Sequence, residues 1–512
     1  MIAVFCERPE LENDLGDMLR LFAGQTDIRW NPAKSSPAGR DGGLTVSCAL
    51  EEQAGAWQVD IRLQGRRGGL GHAAETAAVP APDDREDALE RRAAWPIDPA
   101  WGEVERLRQR RRAAKLCLYG ALKDWTGYAP PWGSLTGIRP TRLLRQLEAE
   151  TGDAAAADRT LRQAFDVSCD KAALLRETLQ AQAGLYETGN ERDIDVYVGI
   201  PFCRTRCLYC SFISADLSRG KHDLEGYTQA LLREIDQAGD MLPALGKRVR
   251  AVYVGGGTPT ALGRERLERI LARLRERVGA GREWTVEAGR PDTLDADMFR
   301  MLHDLGVGRI SINPQTMNAE TLARIGRSHT PEAVLRALEQ ARAYPWDINM
   351  DVIVGLPGEG LPEVQRTLGV LGGLDIDNLT VHTLAVKRSS RLHERLQDYP
   401  LPPDAVVEDM VHAARLCAQD MGMQPYYLYR QKFMRGNLEN VGYTRPGKAC
   451  LYNIDIMEET HPILALGAGG SSKRMFYAEG RHERFFNPKG VDHYLSHVDD
   501  MMGRRAAFFG LS

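Results

Sequence analysis

From Val196 onward, short apolar runs recur near residues 196–200, 251–254, 284–288, 308–313, 348–354 and 378–383. Between them lie segments with apolar residues at three- and four-residue steps, clearest in YTQALLREIDQAGDML, RERLERILARLRERV and DADMFRMLHDLG. Strand and helix alternating six times predict a parallel sheet, since each parallel pairing needs a crossover long enough to hold a helix. Six units are too few to close, so the expected fold is α/β, a partial, open (β/α)6 barrel. In such barrels reactive groups collect at the C-terminal ends of the strands.

Both flanks read differently. The first hundred residues offer a strand-like IAVFC, a helix-like ELENDLGDMLRLF and two alternating runs, LTVSCAL and WQVDIRL, joined by a Gly-containing turn. They predict a small α+β accessory domain. Residues 79–100 are rich in Pro, Asp and Ala and read as a linker or irregular arm. A helix near 102–124 carries Arg106, Arg108, Arg110, Arg111, Arg112 and Lys115, either a basic patch for an anionic partner or a solvated face. PPWGSLTGIRPTRL reads as a domain junction. Beyond residue 395 the alternation gives way to the helical PDAVVEDMVHAARLCAQDMG and aromatic stretches such as QPYYLYRQKF, which predict a cap over the barrel mouth. The expected division is 1–100 accessory domain and linker, 101–187 helical connection, 188–395 barrel and 396–512 cap.

Composition narrows the function classes. The 512 residues are 43 % hydrophobic, enough for a sizeable core, and 66 basic against 70 acidic residues leave a net charge of −4. That balance offers no bulk attraction to nucleic acid or to an anionic membrane. Glu7, Arg8 and Glu10 interrupt the start of the chain where a signal peptide needs an apolar core, and no stretch reaches the ~20 apolar residues of a membrane span. A cytoplasmic protein is expected. Nine cysteines, six of them scattered (Cys6, Cys48, Cys117, Cys169, Cys417 and Cys450), do not form a disulfide framework and fit a reducing setting.

The remaining three carry the chemistry. Cys203, Cys207 and Cys210 stand in a C-x3-C-x2-C spacing directly after the run VYVGI. Three thiolates can hold three irons of a cubane cluster, whereas a closed structural site wants four ligands. The nearest further candidate is His222. The open iron would then be the reactive position; a metal-free loop or a zinc site are the other readings. GGGTPT, Gly255 to Thr260, follows the strand AVYV and precedes a helix, a place where glycines let backbone approach a ligand, or simply a tight turn. Later strand ends carry Glu287, Gln315, Arg327 and Asp351, each a structural polar residue or a ligand contact.

The cysteine spacing resembles the radical S-adenosylmethionine (SAM) family. The resemblance implies a [4Fe-4S] cluster on Cys203, Cys207 and Cys210, with SAM chelating the open iron and an electron from the cluster releasing a 5'-deoxyadenosyl radical. Gly256, Gly257 and Thr258 match that family's glycine-rich SAM element. The order of TVEAGRPDTL, RISINPQTMNAETLARIGRSHT and NMDVIVGLPGE is similar to the oxygen-independent coproporphyrinogen III dehydrogenase family, and VEAGRPDTL, ENVGYTRPGKACLYN and WGSLTGIRP look like its extended, HemZ-type branch. This implies that Tyr197, Glu287, Gln315, Arg327 and Asp351 also line SAM, one molecule or two, with Gly257 and the last four shared in a two-SAM arrangement. It implies a tetrapyrrole substrate and a reductant such as flavodoxin or ferredoxin, and radical oxidative decarboxylation of coproporphyrinogen III to protoporphyrinogen IX. Arg290, Lys387 and Arg388 are candidates to position propionates, and no catalytic residue is assigned. The alternatives are radical chemistry on haem or another tetrapyrrole, and a haem chaperone. Cys210 is followed by Ser211-Phe212 where the dehydrogenases carry Gly-Cys, which resembles the chaperone branch. That branch's HNxxYW haem element corresponds to Glu439-Asn440-Val441-Gly442-Tyr443, without the histidine.

Overall fold

The computed structural model describes the chain except residues 25, 33–42, 67–69, 71–85, 138, 213–214, 432–433 and 512. Two compact units are present. One comprises Met1–Leu175 with Pro403–Ala405 and Gly436–Leu438; the other comprises Arg176–Pro402, Val406–Arg435 and Glu439–Ser512.

In the first unit, β1 (Ile2–Cys6), β2 (Ile28–Trp30), β3 (Leu44–Gln53), β4 (Ala56–Arg66) and β5 (Glu86–Pro96) form a sheet ordered β2-β1-β3-β4-β5. The alternation of LTVSCAL and WQVDIRL sends Val46, Leu50, Val59, Ile61 and Leu63 inward, against Leu15, Met18, Phe22 and the helix Glu103–Thr126. The linker expected at 79–100 is corrected for 86–96: this stretch pairs antiparallel with β4 from Arg66↔Glu86 to Ala56↔Pro96. Residues 79–85 lie outside the described residues. The basic helix is not a free cationic face, because Arg106, Arg108, Arg110 and Arg111 reach Glu52, Glu105, Glu10 and Asp14 at 2.9, 3.2, 3.0 and 3.7 Å. PPWGSLTG is a packed turn: Trp132 is buried and the Ser134 amide donates to the Phe165 carbonyl at 2.8 Å.

The second unit is built on an eleven-stranded sheet. Its strands are β6 (Asp193–Ile200), β9 (Arg248–Gly256), β10 (Glu283–Glu287), β11 (Arg309–Ser311), β12 (Asp347–Val354), β13 (Asn378–Thr383), β14 (Gln424–Tyr429), β15 (Asn440–Thr444), β16 (Ile463–Leu466), β17 (Ser471–Phe476) and β18 (Arg481–Phe486), while β7 (Phe202–Cys203) and β8 (Ala215–Asp216) form a separate ribbon. The order is β14-β15-β13-β12-β11-β10-β9-β6-β16-β17-β18. The run from β6 to β13 is the expected parallel series. Helices fill the crossovers, each burying the stripe its spacing predicts; Leu267, Ile270, Leu271 and Leu274 do so in Arg264–Arg277. Asp223, Asp295 and Thr330 cap three of these helices through their side-chain oxygens.

The division expected at 395/396 does not coincide with a boundary between compact units. Residues beyond it lengthen the same sheet, with β15 antiparallel to β13 and the fully buried β16 parallel to β6. The boundary expected at 187/188 likewise falls inside the second unit, which begins at Arg176.

The N-terminal ends of the parallel strands are stoppered. Glu283, at the start of β10, accepts from the amides of Leu451 and Tyr452 at 2.9 and 3.3 Å and from the Cys450 thiol at 3.1 Å, an acid placed at the N-terminus of helix Leu451–Glu458. Arg309, buried at the start of β11, donates to Asp347 and to the Lys448 carbonyl, each at 3.0 Å. Tyr452 continues upward and stacks on Tyr253, with ring centroids 4.5 Å apart.

Candidate functional site

The cysteine loop leaves the C-terminal end of β6 and is braced on several sides. The Leu208 amide donates to the Ile325 carbonyl at 2.9 Å, and the Leu208 carbonyl accepts from the Leu392 amide at 3.0 Å. The Leu208 side chain packs among Leu322, Ile325, Leu356 and Leu392. Asp216 on β8 accepts from the Arg206 amide at 3.3 Å. Arg290, expected to position substrate, is instead part of this brace. It is 3 % exposed and donates to the carbonyl and hydroxyl of Thr205 at 3.1 and 3.0 Å, to Asp292 at 3.0 Å and to Ser328 at 3.2 Å. Arg388 is exposed, and Lys387 is half-buried beside Cys210. His222 has its Nε2 3.3 Å from the Asp216 carbonyl.

Burial pushes the Cys210 thiol up to about 11, and the neighbouring Cys207 and Cys203 add to the rise. Protein surroundings alone thus favour the protonated Cys210 thiol, and a bound cation reverses that preference.

The glycine turn lies against the cysteine strand. The Gly257 and Thr258 amides donate to the Ile200 and Phe202 carbonyls at 2.9 and 2.7 Å, and the Thr258 hydroxyl lies 3.6 Å from Cys203 Sγ. Gly256 has φ +109°, a conformation that L side chains rarely adopt. A Cβ on Gly257 would stand 2.7 Å from the Phe202 carbonyl oxygen and 3.1 Å from Cys203 Sγ. The room these glycines leave is used first by the cysteine strand itself.

Register places the remaining candidates around one polar lining. Tyr197 stacks with Tyr253, whose hydroxyl donates to Glu287 Oε1 at 2.6 Å. Burial pushes the Glu287 carboxyl up to about 7 against that hydrogen bond, and the charge of Asp351 raises it further. Asp351 goes the other way. Burial raises it, but His382, Asn349 and Thr380 together outweigh burial and hold it below the usual carboxylate range. Asn313 Nδ2 and Asn349 Nδ2 donate to its two oxygens, each at 2.8 Å. Gln315 is 7 % exposed at φ +66°, unusual for a non-glycine; its amide donates to the Asp351 carbonyl at 2.9 Å, while its Oε1 is buried without a partner. Arg327 donates to the Asn313 carbonyl at 2.8 Å and lies 3.4 Å from the Tyr209 hydroxyl, between Cys207 and Cys210 in sequence.

Tyr197, Glu287, Gln315, Arg327 and Asp351 therefore belong to one contiguous constellation, adjoined by the glycine turn and the cysteine loop. Sequence reasoning missed Tyr209, Tyr253, Asn313, His382 and Tyr452. Tyr253, Asn313 and His382 carry a signal, since each is a polar side chain at or near a strand's C-terminal end on the face shared with a chosen neighbour.

The donor set fits a cluster with an organic co-ligand. Three thiols stand on one braced loop, and Gln315 Oε1 and Arg327 Nε of the adjoining constellation are buried without hydrogen-bond partners. Such orphaned groups are costly unless a ligand satisfies them.

The model of the radical SAM superfamily matches residues 197–371. The oxygen-independent coproporphyrinogen-III oxidase-like protein HemZ of Bacillus subtilis is 36 % identical over 406 residues, 78 % of this chain and 81 % of its own length. The haem chaperone HemW of Escherichia coli is 30 % identical over 286 residues, 55 % of this chain and 71 % of its own. Among solved structures, the coproporphyrinogen III oxidase HemN of Escherichia coli, described as a radical SAM enzyme, is 24 % identical with a TM-score of 0.48, covering 63 % of this chain and 72 % of that one. The chain belongs to the radical SAM superfamily, whose members use a [4Fe-4S] cluster and S-adenosylmethionine, and within it to the HemZ-like branch of the oxygen-independent coproporphyrinogen III oxidase family. Among the described residues no helix is long and apolar enough to cross a membrane.

Proposed function

We propose that the protein oxidatively decarboxylates two propionate side chains of coproporphyrinogen III to give protoporphyrinogen IX without oxygen. The observation that carries this reading is the 36 % identity to HemZ across 81 % of that protein, which is described as oxygen-independent coproporphyrinogen-III oxidase-like. Cys203, Cys207 and Cys210 would hold the cluster, and Tyr197, Gly256, Gly257, Thr258, Glu287, Gln315, Arg327 and Asp351 would line SAM. The bound pair would supply the carbon radical that abstracts hydrogen from the substrate. The chain's own contribution is positional and electrostatic. SAM carries a sulfonium and an ammonium group, and two half-buried carboxylates, Glu287 and Asp351, favour a cationic ligand. The Asn313, Asn349 and His382 contacts keep Asp351 charged for that role.

A second reading, the haem chaperone, draws support from HemW and from Ser211-Phe212. Against it stands the place of the stretch corresponding to the haem element. Glu439 is 1 % exposed, and Asn440–Thr444 form β15, hydrogen-bonded on both sides between β13 and β14. All five residues of this strand are buried, which leaves no face open to a macrocycle.

The test is anaerobic reconstitution of the cluster, reduction, and incubation with SAM and coproporphyrinogen III. Protoporphyrinogen IX, two carbon dioxide molecules and 5'-deoxyadenosine are expected. Deoxyadenosine without product, together with stoichiometric haem retention, overturns the enzyme reading in favour of the chaperone.

A further inference from the structure

Beside the cysteine loop lies a cavity of about 320 Å³ whose wall includes Arg206, Arg219, Arg324, Arg391 and Arg395, with Glu394 the one acid among its lining residues. None of the cysteines or SAM-site candidates lines it. The volume falls in the range of small-molecule pockets. Five guanidinium groups in one recess repel one another, and the chain as a whole carries a net charge of −4, so this concentration runs against the average.

The arginines are only partly occupied. Arg206 Nη2 donates to the Ser389 carbonyl at 2.7 Å, Arg324 Nη1 to the Pro357 carbonyl at 2.9 Å, and Arg391 Nη1 to the Arg206 carbonyl at 3.2 Å. The neighbouring acids give little more: Asp216 is 3.5 Å from Arg391 and 3.9 Å from Arg219, and Asp398 takes Arg395 Nε at 2.9 Å. Arg206 Nε is buried without a partner. Asp216, Asp398 and Glu394 are three carboxylates against five guanidinium groups, each with five N–H donors. Leu208 and Ile325 add buried apolar surface, and Tyr399 a half-buried ring. Guanidinium groups matched to oxyanions over an apolar base recognise an organic polyanion.

Two of these arginines are tied to the metal-binding segment. Arg206 lies within it, between Cys203 and Cys207, and Arg391 grips its backbone. We propose that this cavity binds a small organic polyanion, through carboxylate or phosphate groups, and that the bound anion ties the Cys203–Cys210 loop to the flanking segments around Arg324 and Arg391. A recess walled by partly engaged guanidinium groups suits a small anion better than the acidic surface of a protein, which would meet a flat patch.

Calorimetry on the full-length chain at low ionic strength tests the assignment, with citrate and pyrophosphate as probes for free anions and coproporphyrin III for the propionates of the substrate class. One-site saturable binding is expected, weakened roughly tenfold for each arginine removed in Arg324→Gln and Arg395→Gln, two exposed positions outside the loop's own bracing. Hydrogen exchange over 203–210 should slow when the site is filled. Whichever probe binds more tightly, and loses its affinity in the variants, identifies the source of the anion. No saturable binding by any probe overturns the proposal, as does unchanged affinity in the double variant with a normal melting temperature. Binding that leaves exchange over 203–210 unaltered overturns the tie to the loop. Retention of an acidic protein that none of the three probes displaces overturns the small-anion assignment.

Discussion

The Tyr253 hydroxyl donates to Glu287 Oε1 at 2.6 Å, while burial holds that same carboxyl at about 7, so a hydrogen bond and a desolvation penalty oppose each other on one atom group. A cationic ligand favours the ionised carboxylate. SAM affinity should therefore rise as pH increases through about 7 and fall below it, where the carboxyl is protonated. Titration calorimetry at pH 6, 7 and 8 measures this, and Glu287→Gln should bind about tenfold more weakly at the upper end while losing the pH dependence. An equally pH-dependent variant would assign the titration to another group.

Replacing Cys203, Cys207 or Cys210 by Ala should abolish the cluster, because two thiolates do not retain a cubane. Replacing Cys6, Cys48, Cys117, Cys169, Cys417 or Cys450 should leave iron and sulfide content and the paramagnetic resonance spectrum unchanged. A normal cluster in the triple alanine variant would refute the ligand assignment.

Arg290→Ala removes a buried guanidinium that spans Thr205, Asp292 and Ser328. The loss should cost about 3 kcal/mol, as for other broken buried pairs, and denaturant melts can read it. Iron should leave the reconstituted protein faster than from wild type, since Thr205 lies between Cys203 and Cys207. Wild-type stability with impaired turnover would return Arg290 to the substrate site.

Gly256 and Gly257 should fail in different ways. Gly256→Val places a branched side chain at φ +109° and should destabilise the unit by about 1–3 kcal/mol before SAM is considered. Gly257→Ala should fold but reconstitute poorly, because the new methyl group meets Phe202 and Cys203. Full iron content with weak SAM binding in Gly257→Ala would instead indicate direct contact with the ligand.

A chain starting near residue 169 should retain the cluster and reductive SAM cleavage, whereas one starting at 188 should be unstable. Residues 176–187 belong to the second unit: Glu177 pairs with Arg415 at 2.8 Å, Gln182 donates to the Tyr426 carbonyl and to Glu458, and Glu187 meets the buried Arg250 at 3.0 Å. Equal stability of the two truncations by circular dichroism would contradict this.

The parallel series and the cysteine loop were legible because periodicity and spacing are local properties of the chain. Glu287, Gln315 and Asp351 were legible as strand-end polar residues ordered like those of a known family. Tyr253, Asn313 and His382 carried the same strand-end signal, but their partners Glu287 and Asp351 lie on neighbouring strands, so the pairing could not be read from spacing along the chain. Arg290 was misread for a related reason. A charge at a strand end looks the same in sequence whether it faces a ligand or fastens a loop. The strand at 86–96 escaped notice because EDALERRAAWP has few β-branched residues and many charges, the composition of an edge strand guarded against mispairing. β16 escaped because ILAL is four residues long and pairs with β6, more than 260 positions earlier, giving no local pattern to detect.

Glu283, Arg309 and helix Leu451–Glu458 seat the N-terminal ends of β10 and β11 on one hydrogen-bonded base. With Tyr452 stacked on Tyr253, a change at that base is felt one ring away from Glu287, so the anchorage of the strands is also the foundation of the polar lining above them.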